Sequence, residues 1–272
     1  PKTIDNDLNG TDHCPGYASA AKYIATSMAE VWLDTHVYNT GMVTIVEIMG
    51  RHAGWLTAAS ELASLSGCGP DLIYMPETDF DLSDFLDDVG RIYRNTGNCV
   101  VAVSEGVHLA DGSFVSEGKA SATDGFGHAQ LGGLASKLAE AAKLETGAKV
   151  RGIELSLLQR CAAHCASATD VEEAWEAGAA AVEAAVAGMT DKMVVFKCDR
   201  EDGAYTCVTS LEPLEKAANI EKKIPREWIN AAGNGVEPAF LEYVLPLIQG
   251  EPNLPKVDSL PRFAKLKKVL VK

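Results

Sequence analysis

The segment Pro1-Lys2-Thr3-Ile4-Asp5-Asn6-Asp7-Leu8-Asn9-Gly10-Thr11-Asp12 gathers one cation and three carboxylates around two amides and two hydroxyls. No apolar stripe runs through it, and Gly10 marks a bend. Asn, Asp, Gly and Pro also build surface turns, so a turn and a site for a charged substrate with a metal both fit these residue types. Further along, Met49-Gly50-Arg51-His52-Ala53-Gly54 follows an apolar run and precedes a helical pattern. A glycine lets the backbone approach a ligand closely. A helix N-terminus offers free N–H groups and the positive end of its dipole, and an arginine fork suits phosphate. The stretch reads as a phosphate or sugar-phosphate cradle, or equally as an ordinary strand–helix turn with a surface arginine.

Glu105-Gly106 ends another apolar run. A carboxylate there can hold two sugar hydroxyls, or simply end a strand in solvent. Pro76-Glu77-Thr78-Asp79 is also acidic and reads as a turn. Arg151 and Arg160 flank a further strand pattern; both can serve an anion, and either can be half of a structural ion pair. The glycine-rich run 125–133 lacks the Gly-Lys-Ser/Thr ending of a P-loop and reads as a tight loop ahead of a helix. Cys161-Ala162-Ala163-His164-Cys165 approaches metal-ligand spacing but has no second ligand pair, so zinc is not expected there.

Open α/β sheets bind ligands beyond the carboxyl ends of their strands, so these residues need a sheet to bring them together. Strand patterns cover 43–49, 71–75, 99–104, 150–155 and 193–198, several of them apolar throughout, as strands buried on both faces are. Helix patterns cover 16–33, 54–66, 83–94, 132–146, 170–188 and 237–248. The helix at 170–188 has the sharpest pattern. Thr169-Asp170-Val171-Glu172 reads as a capping box. Val171, Ala174, Trp175, Gly178, Val182, Ala185 and Val186 share one face, and Gly188 stands where a helix stops. The alternation predicts an α/β fold with a largely parallel sheet. Residues 202–261 are less legible, and the basic ending 262–272 reads as a solvated tail.

With 272 residues, 47% of them hydrophobic, the chain can build a sizeable core in one large or two modest domains. Twenty-four Lys and Arg stand against 38 Asp and Glu, a net charge of −14. That argues against non-specific nucleic-acid binding, and any anionic ligand needs a local cluster of Arg or Lys. Seven scattered cysteines, an odd number, read as reduced thiols of a cytoplasmic protein. No apolar run reaches membrane-helix length and no signal peptide is visible, so no membrane partner is expected. A chain that starts with proline inside polar sequence is expected to be a fragment of a longer polypeptide.

Taken together, these residues resemble the 6-phosphofructokinase family. Thr3-Ile4-Asp5-Asn6-Asp7 is similar to its catalytic loop, and Met49-Gly50-Arg51 to its sugar-phosphate motif. Glu105 in Val103-Ser104-Glu105-Gly106 is similar to its sugar-binding glutamate, and Arg151 and Arg160 fall where the family has phosphate-binding arginines. The resemblance implies a three-layer αβα sandwich with a largely parallel sheet and a second, partial α/β domain. Residues 1–13 would be a catalytic loop of the donor domain, 14–164 the fructose 6-phosphate domain, and 165–272 the returning part of the donor domain. Asp5 is then the general base toward the C1 hydroxyl of the sugar. Thr3, Ile4 and Asp5 contact that end of the substrate, and Met49, Gly50, Arg51 and Glu105 hold fructose 6-phosphate. Arg160 takes the 6-phosphate, and Arg151 reaches a neighbouring subunit's site in a homo-oligomer, a dimer or tetramer. Mg²⁺ is the implied cofactor, with Asp7 the possible contact in this chain.

Lys2 stands where ATP-using members commonly have glycine and pyrophosphate-using members have lysine. The resemblance is therefore to the pyrophosphate-dependent type, which implies reversible phosphoryl transfer from pyrophosphate to fructose 6-phosphate in glycolysis, with Lys2 as a catalytic cation on the leaving group. An ATP-dependent 6-phosphofructokinase or a non-catalytic sugar-phosphate-binding subunit is the alternative; retention of Asp5 argues against the latter. Met42 and Leu157 stand where many members have arginine and histidine, and Cys161-Ala162 replaces a common Gly-Gly. The family's glycine-rich donor segment precedes the catalytic loop, so this chain alone is expected not to turn over.

Overall fold

The computed structural model describes residues 2–116, 131–200 and 203–270. Residues 125–130 of the glycine-rich run lie outside them. Helix α1 (Tyr17–Thr35) buries Tyr17, Ala18, Ala21, Ile24 and Met28 along one side. Strand β1 (Met42–Ile48) is buried at every residue, as a strand covered on both faces must be. Helix α2 (Trp55–Ala58) tightens directly into a 3-10 stretch, Ala59–Ser66, where the sequence pattern predicts one helix. Strand β2 (Leu72–Tyr74) follows, then helix α3 (Leu82–Thr96), whose cap Asp81 accepts from the N–H groups of Ser83 and Asp84. Strand β3 (Asn98–Ser104), helix α4 (Leu134–Thr146) and strand β4 (Val150–Glu154) complete the unit.

The four strands form one parallel sheet in the order β2-β3-β1-β4. Alternate residues of β1 and β3 enter different cores. Val46, Ile48, Val100 and Ala102 pack with α1 and the 55–66 segment, whereas Val43, Ile45, Val101 and Val103 pack with α3 and α4. Because successive side chains on a strand point to opposite faces, two cores mean three layers. This is the expected αβα sandwich.

Helix α5 (Ala168–Val186) leads to strands β5 (Lys192–Asp199) and β6 (Thr206–Pro213), which pair antiparallel. Helix α6 (Pro238–Val244) and a small hairpin, β7 (Lys256–Val257) with β8 (Leu260–Pro261), follow. Among the described residues, no helix is long and apolar enough to cross a membrane.

Helix α5 departs from the sequence expectation in two ways. Its cap is Ser167, whose side chain accepts from Asp170 N, so Thr169 already lies inside the helix and caps nothing. The predicted apolar face points away from the core, with Trp175 74% and Val186 84% exposed. The buried positions are instead Asp170 and Glu173. Asp170 accepts from the backbone N–H of Gly16 (2.7 Å) and of Ser19 (3.0 Å) at the start of α1. A buried carboxylate must be hydrogen-bonded, and these partners turn the polar side inward. Gly188 does follow the helix in the left-handed region, φ 78°, donating to Ala185 O.

Candidate active site

The carboxyl ends of β1, β3 and β4 lie side by side, since Ile48 pairs with Ser104 and Glu47 with Glu154. The predicted cradle and the predicted glutamate therefore leave the sheet as neighbours, and Glu105 N donates to Ile48 O at 2.9 Å. Gly50 has φ 144°, and a Cβ there would sit 2.7 Å from Ala53 O. Its N–H points to Glu105 Oε1 at 3.3 Å. The N–H of Met49 donates to Oε1 of the buried Gln159 at 3.1 Å. That side chain comes from the 3-10 turn Ser156–Arg160 after β4, so the third strand end holds the first in place.

The 2–13 segment is a built loop, held by Cys14, Phe196, Arg200, Lys222 and Tyr243. Thr3 Oγ1 accepts from Asp5 N at 3.0 Å. Asn6 is buried with φ 62°, a left-handed conformation that Asn tolerates better than most residues. Its amide donates to Tyr243 Oη (2.9 Å) and accepts from Cys14 N (2.9 Å). Lys222 Nζ reaches Asn6 Oδ1 at 3.3 Å and Asp12 O at 2.6 Å. Arg200 grips both oxygens of Asp12 at 2.8 Å.

This loop brings Asp5 to the cradle. Burial lifts the Asp5 carboxyl above its ordinary range and the charge of Asp7 adds to that, while Arg160, Arg51 and Lys2 oppose it. Burial also lifts Glu105, against the Gly50 N–H and the charge of Arg51; Asp5 raises it further and Arg160 lowers it. Asp5 and Glu105 thus share the field of the same two arginines. The cluster joins a buried carboxylate suited to taking a proton, a second carboxylate suited to hydroxyls, and two guanidinium groups suited to phosphate.

A sequence model of the family described as Phosphofructokinase matches residues 1–185. The chain belongs to the phosphofructokinase family. It is 46% identical to a pyrophosphate–fructose 6-phosphate 1-phosphotransferase from Xanthomonas campestris, over 100% of this chain and 65% of that protein. It is 43% identical to the protein of the same name from Halomonas elongata, over 98% of this chain and 64% of the relative. The crystal structure of a pyrophosphate-dependent phosphofructokinase from Marinobacter aquaeolei superimposes with a TM-score of 0.85 at 40% identity, covering 100% of this chain and 65% of that one. The chain therefore spans about 65% of the length of the relatives it matches.

Of the residues that the phosphofructokinase resemblance singles out, Asp5, Arg51, Glu105 and Arg160 act on one another by charge, Gly50 N–H meets Glu105, Met49 N–H meets Gln159 beside Arg160, and Thr3 accepts from Asp5 N. Ile4 packs on the core beside Gly16. Lys2 is exposed, within reach of Asp5 by charge. Asp7 lines a small cavity with Leu8 and Ala217. Arg151 is not brought to this cluster within the chain. It pairs with Thr44 near the amino end of β1, and its guanidinium holds Asp34 at 2.7 Å. Three residue steps, about 10 Å at ~3.3 Å each, separate it from Glu154 at the strand end that Arg160 follows. Met42 is buried at the start of β1, and Leu157 is exposed in the turn that carries Arg160. A cavity of 1180 Å³ lies elsewhere, lined by Asp12, Trp55, Arg200, Tyr205, Trp228 and Tyr243 among others, and by none of the clustered residues.

Asn6, Gln159 and Lys222 position this site through hydrogen bonds to distant residues. Asn6 sits inside the recognised motif as a turn residue, and Gln159 stands beside Arg160. Lys222 is 216 residues from its partner Asn6, and nothing in its surroundings foretells the contact.

Proposed function

We propose that the chain carries the sugar-phosphate site and catalytic loop of a pyrophosphate-dependent phosphofructokinase, which moves a phosphoryl group from pyrophosphate to the C1 hydroxyl of fructose 6-phosphate. The observation that carries this reading is the convergence of Asp5 and Glu105 on Arg51 and Arg160, under a loop that begins Lys2-Thr3. Fructose 6-phosphate binds with its phosphate on Arg160 and its hydroxyls on Glu105 and the Met49-Gly50-Arg51 turn. Asp5 takes the proton of the C1 hydroxyl. The C1 oxygen bonds to phosphorus as the bond to the bridging oxygen breaks, giving fructose 1,6-bisphosphate and phosphate. Little covalent work falls to the protein in such a transfer; it aligns the oxygens and neutralises charge. Lys2 supplies charge where the leaving phosphate develops it.

The loop also suits a divalent cation. Asp7 lies close enough for its charge to act on Asp5, and Mg²⁺ typically takes one or two carboxylates and completes its shell with phosphate and water. Asp7 is the residue of this chain that would hold it, and the ion would neutralise the donor's phosphates. Residues 1–13 act with 165–272 on the donor side, as the contacts of Asp12 N with Phe196 O and of Lys222 with Asp12 O support, and residues 14–164 hold the sugar. Arg151, at the exposed edge strand, serves the site of a second copy in a homo-oligomer.

Replacement of Asp5 tests the assignment. In the longest polypeptide that carries this sequence, Asp5→Ser is expected to lower turnover by about 10²–10⁴-fold and leave fructose 6-phosphate binding, read by calorimetry, nearly unchanged. Turnover within a few-fold of the unaltered protein would overturn it.

A further inference from the structure

Away from the substrate cluster, the β5–β6 hairpin places Cys198 directly opposite Cys207. Their Sγ atoms are 2.9 Å apart. Directly opposed residues on antiparallel strands have Cα atoms about 4.5–5.5 Å apart, inside the window of about 4.4–6.8 Å that a disulfide requires. Both residues are half-buried. Tyr205, whose hydroxyl lies 3.5 Å from Cys198 Sγ, lines the 1180 Å³ cavity.

The group facing Cys198 is His13, fully buried, with Nδ1 3.9 Å from the sulfur. Nδ1 also lies 2.9 Å from Asp12 Oδ1, and Nε2 lies 2.7 Å from Glu173 Oε2. Both ring nitrogens therefore donate to carboxylates, and the ring is an imidazolium. Asp12, His13 and Cys198 hold donor atoms within 4.8 Å of one another, as a metal site would. A metal needs a neutral imidazole with a free lone pair, which this histidine does not offer. The cation instead stands beside a thiol, the setting that makes a cysteine reactive.

We propose that Cys198 and Cys207 are an oxidation-sensitive pair, Cys198 attacking a peroxide as a thiolate and Cys207 resolving the product to a disulfide across the hairpin. The Cys198 thiolate attacks one peroxide oxygen; the O–O bond breaks and hydroxide leaves, taking a proton to become water. The sulfenic acid on Cys198 is then attacked by the Cys207 sulfur, which gives up its proton, and a second water departs. Two thiols lose two electrons and hydrogen peroxide gains them. The Cys207 hydrogen bond, against the cost of burial and with the help of hydrogen bonds from His13 and Tyr205, brings the Cys198 thiol down to about 6. His13 belongs to the same loop as Asp5, so the pair's redox state bears on the end of the catalytic loop.

The test is hydrogen peroxide treatment of the reduced, purified protein, followed by alkylation, intact mass and peptide mapping. The expected result is loss of two alkylatable thiols per chain, a Cys198–Cys207 cross-linked peptide and reversal by dithiothreitol, before the exposed Cys161 reacts. Cys207→Ser keeps a hydrogen-bond donor beside Cys198 and is expected to stop at a sulfenic acid that dimedone traps on Cys198. The proposal is overturned if both thiols stay alkylatable while Cys161 is oxidised, or if either joins a different cysteine.

Discussion

Gly106 lies so close to Arg51 that a Cβ on it would sit 1.9 Å from the Arg51 carbonyl oxygen. Backbone cannot yield at that distance, so the glycine sets how near the cradle turn comes to the end of β3. Gly106→Ala is expected to push Arg51 and Glu105 apart. The strain costs about 1–3 kcal/mol, and fructose 6-phosphate affinity falls with it. Thermal unfolding and calorimetric titration check this; a variant with unchanged melting temperature and affinity would show that the contact is not a constraint.

His13 and Cys198 give opposite pH dependences. His13 is raised from 6.5 to about 10 by hydrogen bonds to Asp12, Cys198 and Glu173, against the cost of burial. Its stabilisation is complete below pH 6.5 and fades as pH rises toward 10. Cys198 is lowered from 9 to about 6, so its stabilisation is complete above pH 9 and is lost as pH falls toward 6. Between about pH 6.5 and 9 the two oppose each other. Cys198→Ser removes one of them, so its stability is expected to fall with rising pH more steeply than that of the unaltered protein. Urea unfolding at both ends of this range measures it, and parallel curves would refute the pairing.

The apolar face of α5 is a further case. Its period predicts a buried stripe, yet Trp175 is 74% exposed in this chain. Trp175→Ala is therefore expected to change stability by less than about 0.5 kcal/mol. A buried tryptophan would cost about 3–5 kcal/mol, so one denaturation curve separates the two.

The α5 contrast shows where sequence reading ends. The strand ends carrying Met49-Gly50-Arg51 and Glu105 were legible because strand, glycine and charged residue are neighbours in sequence. The parallel sheet was legible because β1 and β3 are apolar on both faces. A helical period fixes which residues share a side but not what that side meets, and the contacts of Asp170 and Glu173 with Gly16 and His13 decided it over more than 150 residues of chain. Arg151 and Arg160 read alike as anion-binding residues. Only the direction of β4 places the first at the sheet's amino end and the second beside Asp5.

The most direct test of the proposed reaction is phosphorylation of fructose 6-phosphate by the longest polypeptide that carries this sequence, with Mg-pyrophosphate and Mg-ATP compared side by side. Fructose 1,6-bisphosphate formed from pyrophosphate, with little or none from ATP, is the predicted result and supports Lys2 as the residue that marks the donor. Turnover with ATP alone, or with neither donor, would contradict it.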